Sequence, residues 1–145
     1  PMRRTAPSAG GLYPLHFVVA ALRVDGLPRG FYSLTDNMAP LGMSDALDDV
    51  GRLFRTKHIA YERAAAIVFA VGSIVLANGK YGERGYRYLL LEAGHAMQNA
   101  SLACADLNLD HVPVGGLDDD LINAAIGHSA AGQVALYALA IGGAA

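Results

Sequence analysis

The chain has 145 residues, of which 53% are hydrophobic and 17% are charged, and its formal net charge is −2. This size predicts a single domain over residues 1–145 that can bury a core. Lysine and arginine form no basic run, and the longest apolar stretch, residues 64–77, is too short to span a bilayer. The single cysteine, Cys104, fits a reducing compartment, so we expect a cytoplasmic protein that binds neither nucleic acid nor membrane.

The first third of the chain predicts a loop followed by a hairpin. A segment rich in glycine, proline and serine runs to Pro14, and an apolar, β-branched strand follows over residues 15–24. Turn residues 26–30 separate it from a short strand at 31–34, which is the pattern of a β-hairpin. Residues 36–42 then predict a second loop.

The middle of the chain predicts a helix and a buried strand. Ser44 can cap a helix over residues 45–54, because acidic residues come early in this segment and arginines come late. Residues 64–76 contain a strand centred on an Ile-Val-Phe-Ala-Val run. Asn78 and Gly79 then predict a break in the chain.

A long helix is predicted over residues 85–107, where apolar residues recur in alternating steps of four and three. We expect this apolar seam to pack against other helices or across a dimer interface. Its members are Tyr86, Leu90, Ala93, Met97, Ala100, Cys104 and Leu107.

The end of the chain predicts a loop over residues 112–116, a short helix from 118 to about 127, and a final strand over 133–141. Strands separated by helices of unequal length indicate an α+β fold.

Another face of the long helix carries Glu92, His95, Asn99 and Asp106. The Glu92–His95 spacing occurs in carboxylate di-iron bundles, which also need a second such pair and further glutamates. The sequence offers neither, so a polar face with one buried or partner-facing histidine fits better. The three aspartates at 118–120 are typical of helix capping, and we predict no metal site.

Residues 6–14, with the sequence APSAGGLYP, form the most informative segment. Glycines let a backbone approach a flat ring or a phosphate closely, and Ser8 adds a hydroxyl. The same composition also fits an ordinary loop before a strand. The Rossmann fingerprint is absent, and residues 72–80 do not form a phosphate-binding P-loop because Tyr81 follows the lysine.

Lys80 and Tyr81 lie between the predicted strand and the long helix. Each side chain can move a proton, so together they are a candidate acid/base pair. Two exposed polar loop residues are the alternative interpretation.

Five segments, in order, resemble the nitroreductase-like flavoprotein superfamily and within it the SagB-type (McbC-type) dehydrogenases. They are APSAGGLYPL, GLPRGFY, KYGERGYRYLLLEAGHAMQN, PVGGLDDDLINAAIG and ALYALAIG. Enzymes of this type use FMN to oxidise thiazoline and oxazoline rings in ribosomal peptides to thiazoles and oxazoles. The resemblance implies a central, mostly antiparallel sheet flanked by helices, with one long central helix.

The resemblance also implies roles for matching residues. One of the two leading arginines would reach the FMN phosphate, the loop 7–11 would lie along the ring and its tail, and the backbone of loop 113–116 would approach flavin N5. Lys80 and Tyr81 match the pair implicated in azoline oxidation, with Tyr81 as the base. The residues implied to bind FMN are Arg3, Arg4, Pro7, Ser8, Ala9, Gly10, Gly11, Gln98, Asn99, Pro113, Val114, Gly115 and Gly116.

The site of this superfamily usually lies at a dimer interface, which implies a homodimer, and a cyclodehydratase or a complementary chain is a further implied partner. The implied substrate is a modified peptide or a small molecule. Members usually extend beyond both ends of the matched region, so we expect this chain to be part of the family domain. They often carry glutamate where this chain has His16.

Two alternative functions stay open at this point. One is a nitro- or quinone-reductase that takes hydride from NAD(P)H. The other is a non-catalytic scaffold of the same fold that holds no flavin.

Overall fold

The computed structural model describes residues 4–34, 37–42, 44–127 and 132–142. Six strands form one sheet in which every neighbouring pair is antiparallel. The strands are β1 (Leu15–Ala21), β2 (Gly30–Ser33), β3 (Ala39–Gly42), β4 (Ala64–Ser73), β5 (His111–Val114) and β6 (Gln133–Gly142). Their order across the sheet is β3-β2-β1-β4-β6-β5, which confirms the predicted α+β fold.

The hairpin predicted from the turn residues is confirmed, since β1 pairs with β2 from Val18–Ser33 to Ala21–Gly30. The loop predicted over 36–42 is wrong for its second half, because residues 39–42 form β3. This strand lies at the edge of the sheet and all its residues are exposed. Pro40 is compatible with an edge strand because it has no N–H to contribute to a second neighbour.

Three helices cover the sheet: α1 (Ile74–Tyr81), α2 (Arg84–Asp106) and α3 (Asp119–Ala125). The long helix and the short C-terminal helix are as predicted. The predicted break at residues 78–79 is wrong, because α1 runs through Asn78 and Gly79.

Packing explains why α1 forms despite these two residues. Its N-terminus is capped by Ser73, whose hydroxyl accepts a hydrogen bond from the Leu76 N–H at 3.2 Å. Its middle turn packs against the start of α2 at Gly85, where a β-carbon would lie 2.6 Å from the carbonyl oxygen of Ala77. Tertiary contact therefore outweighs the weak helix propensity of this segment.

The helix predicted over 45–54 forms as two 3₁₀ turns, Asp45–Leu47 and Val50–Leu53. Ser44 caps the first, accepting a hydrogen bond from the Ala46 N–H at 3.2 Å. Leu47, Val50 and Leu53 are all buried. Side chains three residues apart line up in a 3₁₀ helix, so this spacing favours 3₁₀ over α-helical geometry.

The predicted apolar seam of α2 is correct in its middle and wrong at its ends. Leu89 and Glu92 are buried in place of the outer seam residues, because α2 turns a neighbouring stripe toward the sheet. Ala93, Met97 and Cys104 are buried as predicted, whereas Tyr86, Leu90 and Leu107 are 46%, 45% and 66% exposed.

The sheet has a hydrophobic layer on each face. Helices α1 and α2 cover one face, where Leu89 and Met97 pack with Leu139 of β6. The 3₁₀ turns and α3 cover the other, where Phe54 and Ile122 are buried. Within the described residues, no helix is long and apolar enough to cross a membrane.

Candidate active site

The loops that carry candidate residues lie at one end of the sheet. Pro14 directly precedes β1, and its carbonyl accepts a hydrogen bond from the N–H of Ser73 at the end of β4 (3.0 Å). Ser73 pairs with Gln133 at the start of β6. The strand β5 ends at Val114, so residues 115–116 leave the sheet at this same end. Because neighbouring strands lie about 4.8 Å apart, β5 and β1 are roughly 14 Å apart.

Gly10 brings the glycine-rich loop against Lys80 and Tyr81. The Lys80 ammonium donates a hydrogen bond to the Gly10 carbonyl oxygen at 3.2 Å. A β-carbon at position 10 would lie 2.6 Å from Lys80 Nζ and would overlap the Tyr81 hydroxyl. Gly10 also has a φ of 56°, which favours glycine. Both the contact and the backbone conformation therefore require glycine here.

Lys80 and Tyr81 occupy the last turn of α1, so the predicted loop position of this pair is wrong. The Tyr81 ring packs edge-on against Tyr88 of α2, with centroids 4.9 Å apart. Lys80 Nζ lies 5.4 Å from the Tyr81 ring centroid. Lys80 is exposed and Tyr81 is half-buried, so the helix pair holds an ammonium and a phenol where a bound molecule could meet both.

Glu92 anchors the other side of the glycine-rich loop. It is 5% exposed, and no other charged side chain in the described ranges is as deeply buried. Ser8 Oγ donates a hydrogen bond to Glu92 Oε2 at 2.5 Å and accepts one from the Tyr13 N–H at 2.8 Å. Burial raises the pKa of Glu92, and the Ser8 hydrogen bond and the Arg4 charge act in the opposite direction.

Glu92 is not among the predicted site residues, because the sequence pattern places its carboxyl on a polar face of α2. His95 and Asp106 of that face are exposed and Asn99 is half-buried, so the four side chains do not share one environment. A usable signal was available, since Glu92 lies three residues after Leu89 and directly before Ala93, within an apolar stripe.

The segment before the loop lies along α2. Asn99 Nδ2 donates a hydrogen bond to the Thr5 hydroxyl at 3.4 Å, two helical turns from Glu92. The Arg4 guanidinium lies over the Tyr13 ring, 4.8 Å from its centroid. Two more predicted residues, Gln98 and Arg3, are not brought into these contacts: Gln98 is exposed, and Arg3 lies outside the described residues.

Only part of the predicted 112–116 loop is a loop. Residues 112–114, including Pro113 and Val114, belong to β5 and pair with β6. Gly115 is exposed. Gly116 lies against Thr56, whose hydroxyl oxygen would be 2.5 Å from a β-carbon at position 116. These glycines therefore share the sheet end with the glycine-rich loop, but the close neighbour of Gly116 is Thr56.

No cluster of histidine, cysteine and acidic side chains in the described residues could hold a metal ion. Asp118 caps α3, as predicted, by accepting a hydrogen bond from the Leu121 N–H at 3.3 Å. Its carboxylate also pairs with Arg55 at 3.4 Å. Cys104 is buried, and burial raises the pKa of its thiol.

Chains in two solved structures have the same fold. The Escherichia coli microcin synthetase McbBCD complex, with truncated pro-MccB17 bound, contains a chain of TM-score 0.85 and 22% identity, and the match covers 100% of this chain and 57% of that one. The NADPH:FMN oxidoreductase of Vibrio harveyi, complexed with NAD+, matches with a TM-score of 0.65 and 16% identity, covering 95% of this chain and 54% of that one.

A closer relative in sequence is the protein named as nitroreductase MJ1384 of Methanocaldococcus jannaschii. The two are 31% identical over an alignment of length 123 that covers 82% of this chain and 61% of the relative. The chain thus spans less than two thirds of each protein compared. Residues 3–143 match the nitroreductase family. The match extends over nearly the whole chain, and the chain belongs to the nitroreductase family.

Proposed function

We propose that the chain works as an FMN-dependent oxidoreductase of the SagB type, which oxidises thiazoline or oxazoline rings of a modified peptide to thiazoles or oxazoles. The contact of Gly10 with Lys80 and Tyr81 carries this proposal. It joins two segments, 70 residues apart, that the SagB resemblance assigns to one site. The structural likeness to a microcin synthetase chain agrees with this assignment at the level of the fold.

The residues present fit a flavin. Gly10 and Gly11 have φ values of 56° and 65°, and a β-carbon at position 11 would meet nothing within 4 Å. The backbone of this turn is therefore open to a flat ring. Arg4 offers positive charge for a phosphate. Gly115 lies at the same end of the sheet, where its backbone N–H could stabilise charge on a reduced ring.

The chemistry divides between the cofactor and the side chains. FMN, when bound, accepts the hydride that the azoline ring loses. Tyr81 is the base that removes the proton from the neighbouring ring carbon, and the Lys80 ammonium stabilises the phenolate before transfer. Lys80 also holds the Gly10 carbonyl, so the same side chain orients the loop. Aromatisation of the ring makes the reaction favourable.

The proposal also includes a protein–protein interface on α2. Three leucines of α2, Leu90, Leu91 and Leu102, are exposed although they are large and apolar. Such a surface is typical of an interface, and two-fold homodimers are the commonest assembly. We propose a homodimer or a pairing with a complementary chain such as a cyclodehydratase, with the site at the interface.

Titration of the purified chain with FMN tests cofactor binding. We expect saturable binding, with the flavin absorbance shifted on binding and FMN released on denaturation. A chain that keeps no FMN after the excess cofactor is removed would contradict the proposal and would favour the non-catalytic scaffold.

Turnover of a thiazoline-containing peptide, followed by the mass loss of two hydrogens, tests the reaction. Lys80→Met should reduce turnover about 100-fold, as expected for loss of proton-transfer assistance. Lys57→Met is the matched control, because Lys57 also donates to a glycine carbonyl, that of Gly51, at 3.1 Å. Tyr81→Phe should have a similar effect to Lys80→Met, and Tyr86→Phe, at an exposed tyrosine of α2, should not.

The same variants distinguish the reductase alternative. If NAD(P)H bleaches the bound flavin rapidly and both substitutions leave that reaction unchanged while no azoline is oxidised, the chain is a nitro- or quinone-reductase and the SagB assignment is wrong.

A further inference from the structure

We propose that Glu92 is a positioning residue of the flavin site, whose buried carboxyl holds Ser8 and thereby fixes the glycine-rich loop that faces the cofactor. The role toward flavin rests on the proposed function. The contact between Glu92 and the loop rests on its own geometry and can be tested without any cofactor.

The hydrogen bonds of Ser8 show what this side chain does. A serine hydroxyl has one hydrogen, and Ser8 donates it to Glu92 Oε2 at 2.5 Å. The oxygen also accepts the Tyr13 N–H at 2.8 Å. Ser8 therefore has no hydrogen left for a phosphate or a ring carbonyl. Its hydroxyl joins the loop to α2, and contact with the cofactor is left to the loop backbone.

The hydrogen bond between Ser8 and Tyr13 joins the two ends of a short turn in the loop. Between Ser8 and Tyr13 the chain forms a 3₁₀ turn, Ala9–Gly11, in which the Gly11 N–H donates to the Ser8 carbonyl at 3.0 Å. Tyr13 has a φ of 48°, a left-handed conformation that costs a non-glycine residue free energy. Such a residue persists only where its surroundings fix it, and the Tyr13 N–H is held by Ser8.

Glu92 connects the loop to helix α2. It lies in the middle of a 23-residue helix, next to the buried Leu89 and Ala93. The length of the Ser8–Glu92 bond is that of a charge-assisted O–H···O⁻ bond, which is stronger than a neutral one. Arg4, stacked over Tyr13, is the charged group that acts on the Glu92 carboxyl. The Glu92 carboxyl thus connects through Ser8 to Tyr13.

Hydrogen exchange of the Tyr13 amide, measured by NMR on the cofactor-free chain, tests the inference. Ser8→Ala and Glu92→Ala should each speed exchange about tenfold, the effect of losing one hydrogen bond. The double variant should exchange no faster than either single variant, because both remove the same contact. Glu92→Gln keeps an acceptor and should stay within about threefold of the parent. Asp106→Asn, an exposed carboxyl on the same helix, is the control and should have no effect.

FMN affinity is the second readout. Glu92→Ala and Ser8→Ala should weaken FMN binding by a similar factor of about ten, and Glu92→Gln by less. Unchanged Tyr13 exchange in Glu92→Ala, or additive effects in the double variant, would overturn the inference. If the parent chain binds no FMN, the proposed function fails, and the exchange rates still decide whether Glu92 fixes the loop. If Glu92→Ala does not fold, the exchange measurement uses Ser8→Ala, which removes only a hydroxyl, together with Glu92→Gln.

Discussion

The Lys80 ammonium donates a hydrogen bond to the Gly10 carbonyl over 3.2 Å, and this bond joins the last turn of α1 to the glycine-rich loop. Two features set the position of the ammonium: the packing of α1 on α2 at Gly85, and the absence of a side chain at Gly10. Both features can be tested by replacing the glycine with alanine, which adds one carbon atom at each position.

Gly10→Ala should damage the site more than Gly11→Ala does. Both positions have left-handed φ values, 56° and 65°, so each substitution carries a backbone cost of about 1–2 kcal/mol. Only at position 10 does the new β-carbon also meet Lys80 Nζ, at 2.6 Å, and the Tyr81 hydroxyl. We expect Gly10→Ala to lower turnover and FMN affinity beyond its effect on stability, measured by thermal unfolding alongside turnover. Equal losses of turnover in the two variants would show that the contact has no separate role.

Gly85→Ala should separate α1 from α2 and so move the catalytic pair. Its β-carbon would lie 2.6 Å from the Ala77 carbonyl oxygen, which is backbone and cannot swing away. Overpacking of this kind costs about 1–3 kcal/mol in the free energy of unfolding.

Gly94→Ala is the control, because it lies on the same helix with nothing within 4 Å of its β-carbon. The helix propensity of alanine should make that variant about 1 kcal/mol more stable. Urea unfolding of both variants measures the difference, and a Gly85→Ala protein as stable as the parent would disprove the close approach.

Four of the six strands, β1, β2, β4 and β6, were predictable because their signal is local. The run Ala64–Ser73 is mostly apolar with β-branched residues near its centre, and the turn before β2 is marked by glycine and proline. Helix α1 was not predictable in this way. Asn78 and Gly79 argue against a helix locally, and the contact that stabilises it is made with Gly85, on a different helix.

The sequence named candidate site residues but not the contacts between them. The resemblance named Ser8, Gly10, Lys80 and Tyr81, and the structure brings all four to one end of the sheet. It did not name Glu92, whose partner Ser8 is 84 residues away in sequence. A side-chain contact over that separation depends on the sheet register and the helix rotation together, neither of which a one-dimensional pattern contains.

The rotation of α2 can be tested with neighbouring leucines. Leu89 is fully buried against the sheet, whereas Leu90, which belonged to the predicted seam, is 45% exposed. Leu89→Ala should lower the free energy of unfolding by about 2–5 kcal/mol, and Leu90→Ala by less than about 1 kcal/mol in a dilute sample. Raising the protein concentration should increase the cost of Leu90→Ala alone if this leucine lies in the proposed dimer interface. The reverse order of the two costs in dilute solution would mean that the seam predicted from the sequence is the buried face.

Glu92 should give the stability of the chain a specific pH dependence. Burial raises its pKa in the folded chain, so the folded state binds this proton more tightly than the unfolded state does. The contribution of Glu92 to the free energy of unfolding is therefore largest below the ordinary glutamate pKa of about 4.3. This contribution falls as the pH rises from about 4.3 to the raised pKa of the folded chain, and it is lost above the raised pKa. Glu92→Gln has no proton to lose, so its stability, measured by urea unfolding at a series of pH values, should lack this fall, while Asp106→Asn should retain it. Parallel curves for the parent and Glu92→Gln would contradict the raised pKa of Glu92.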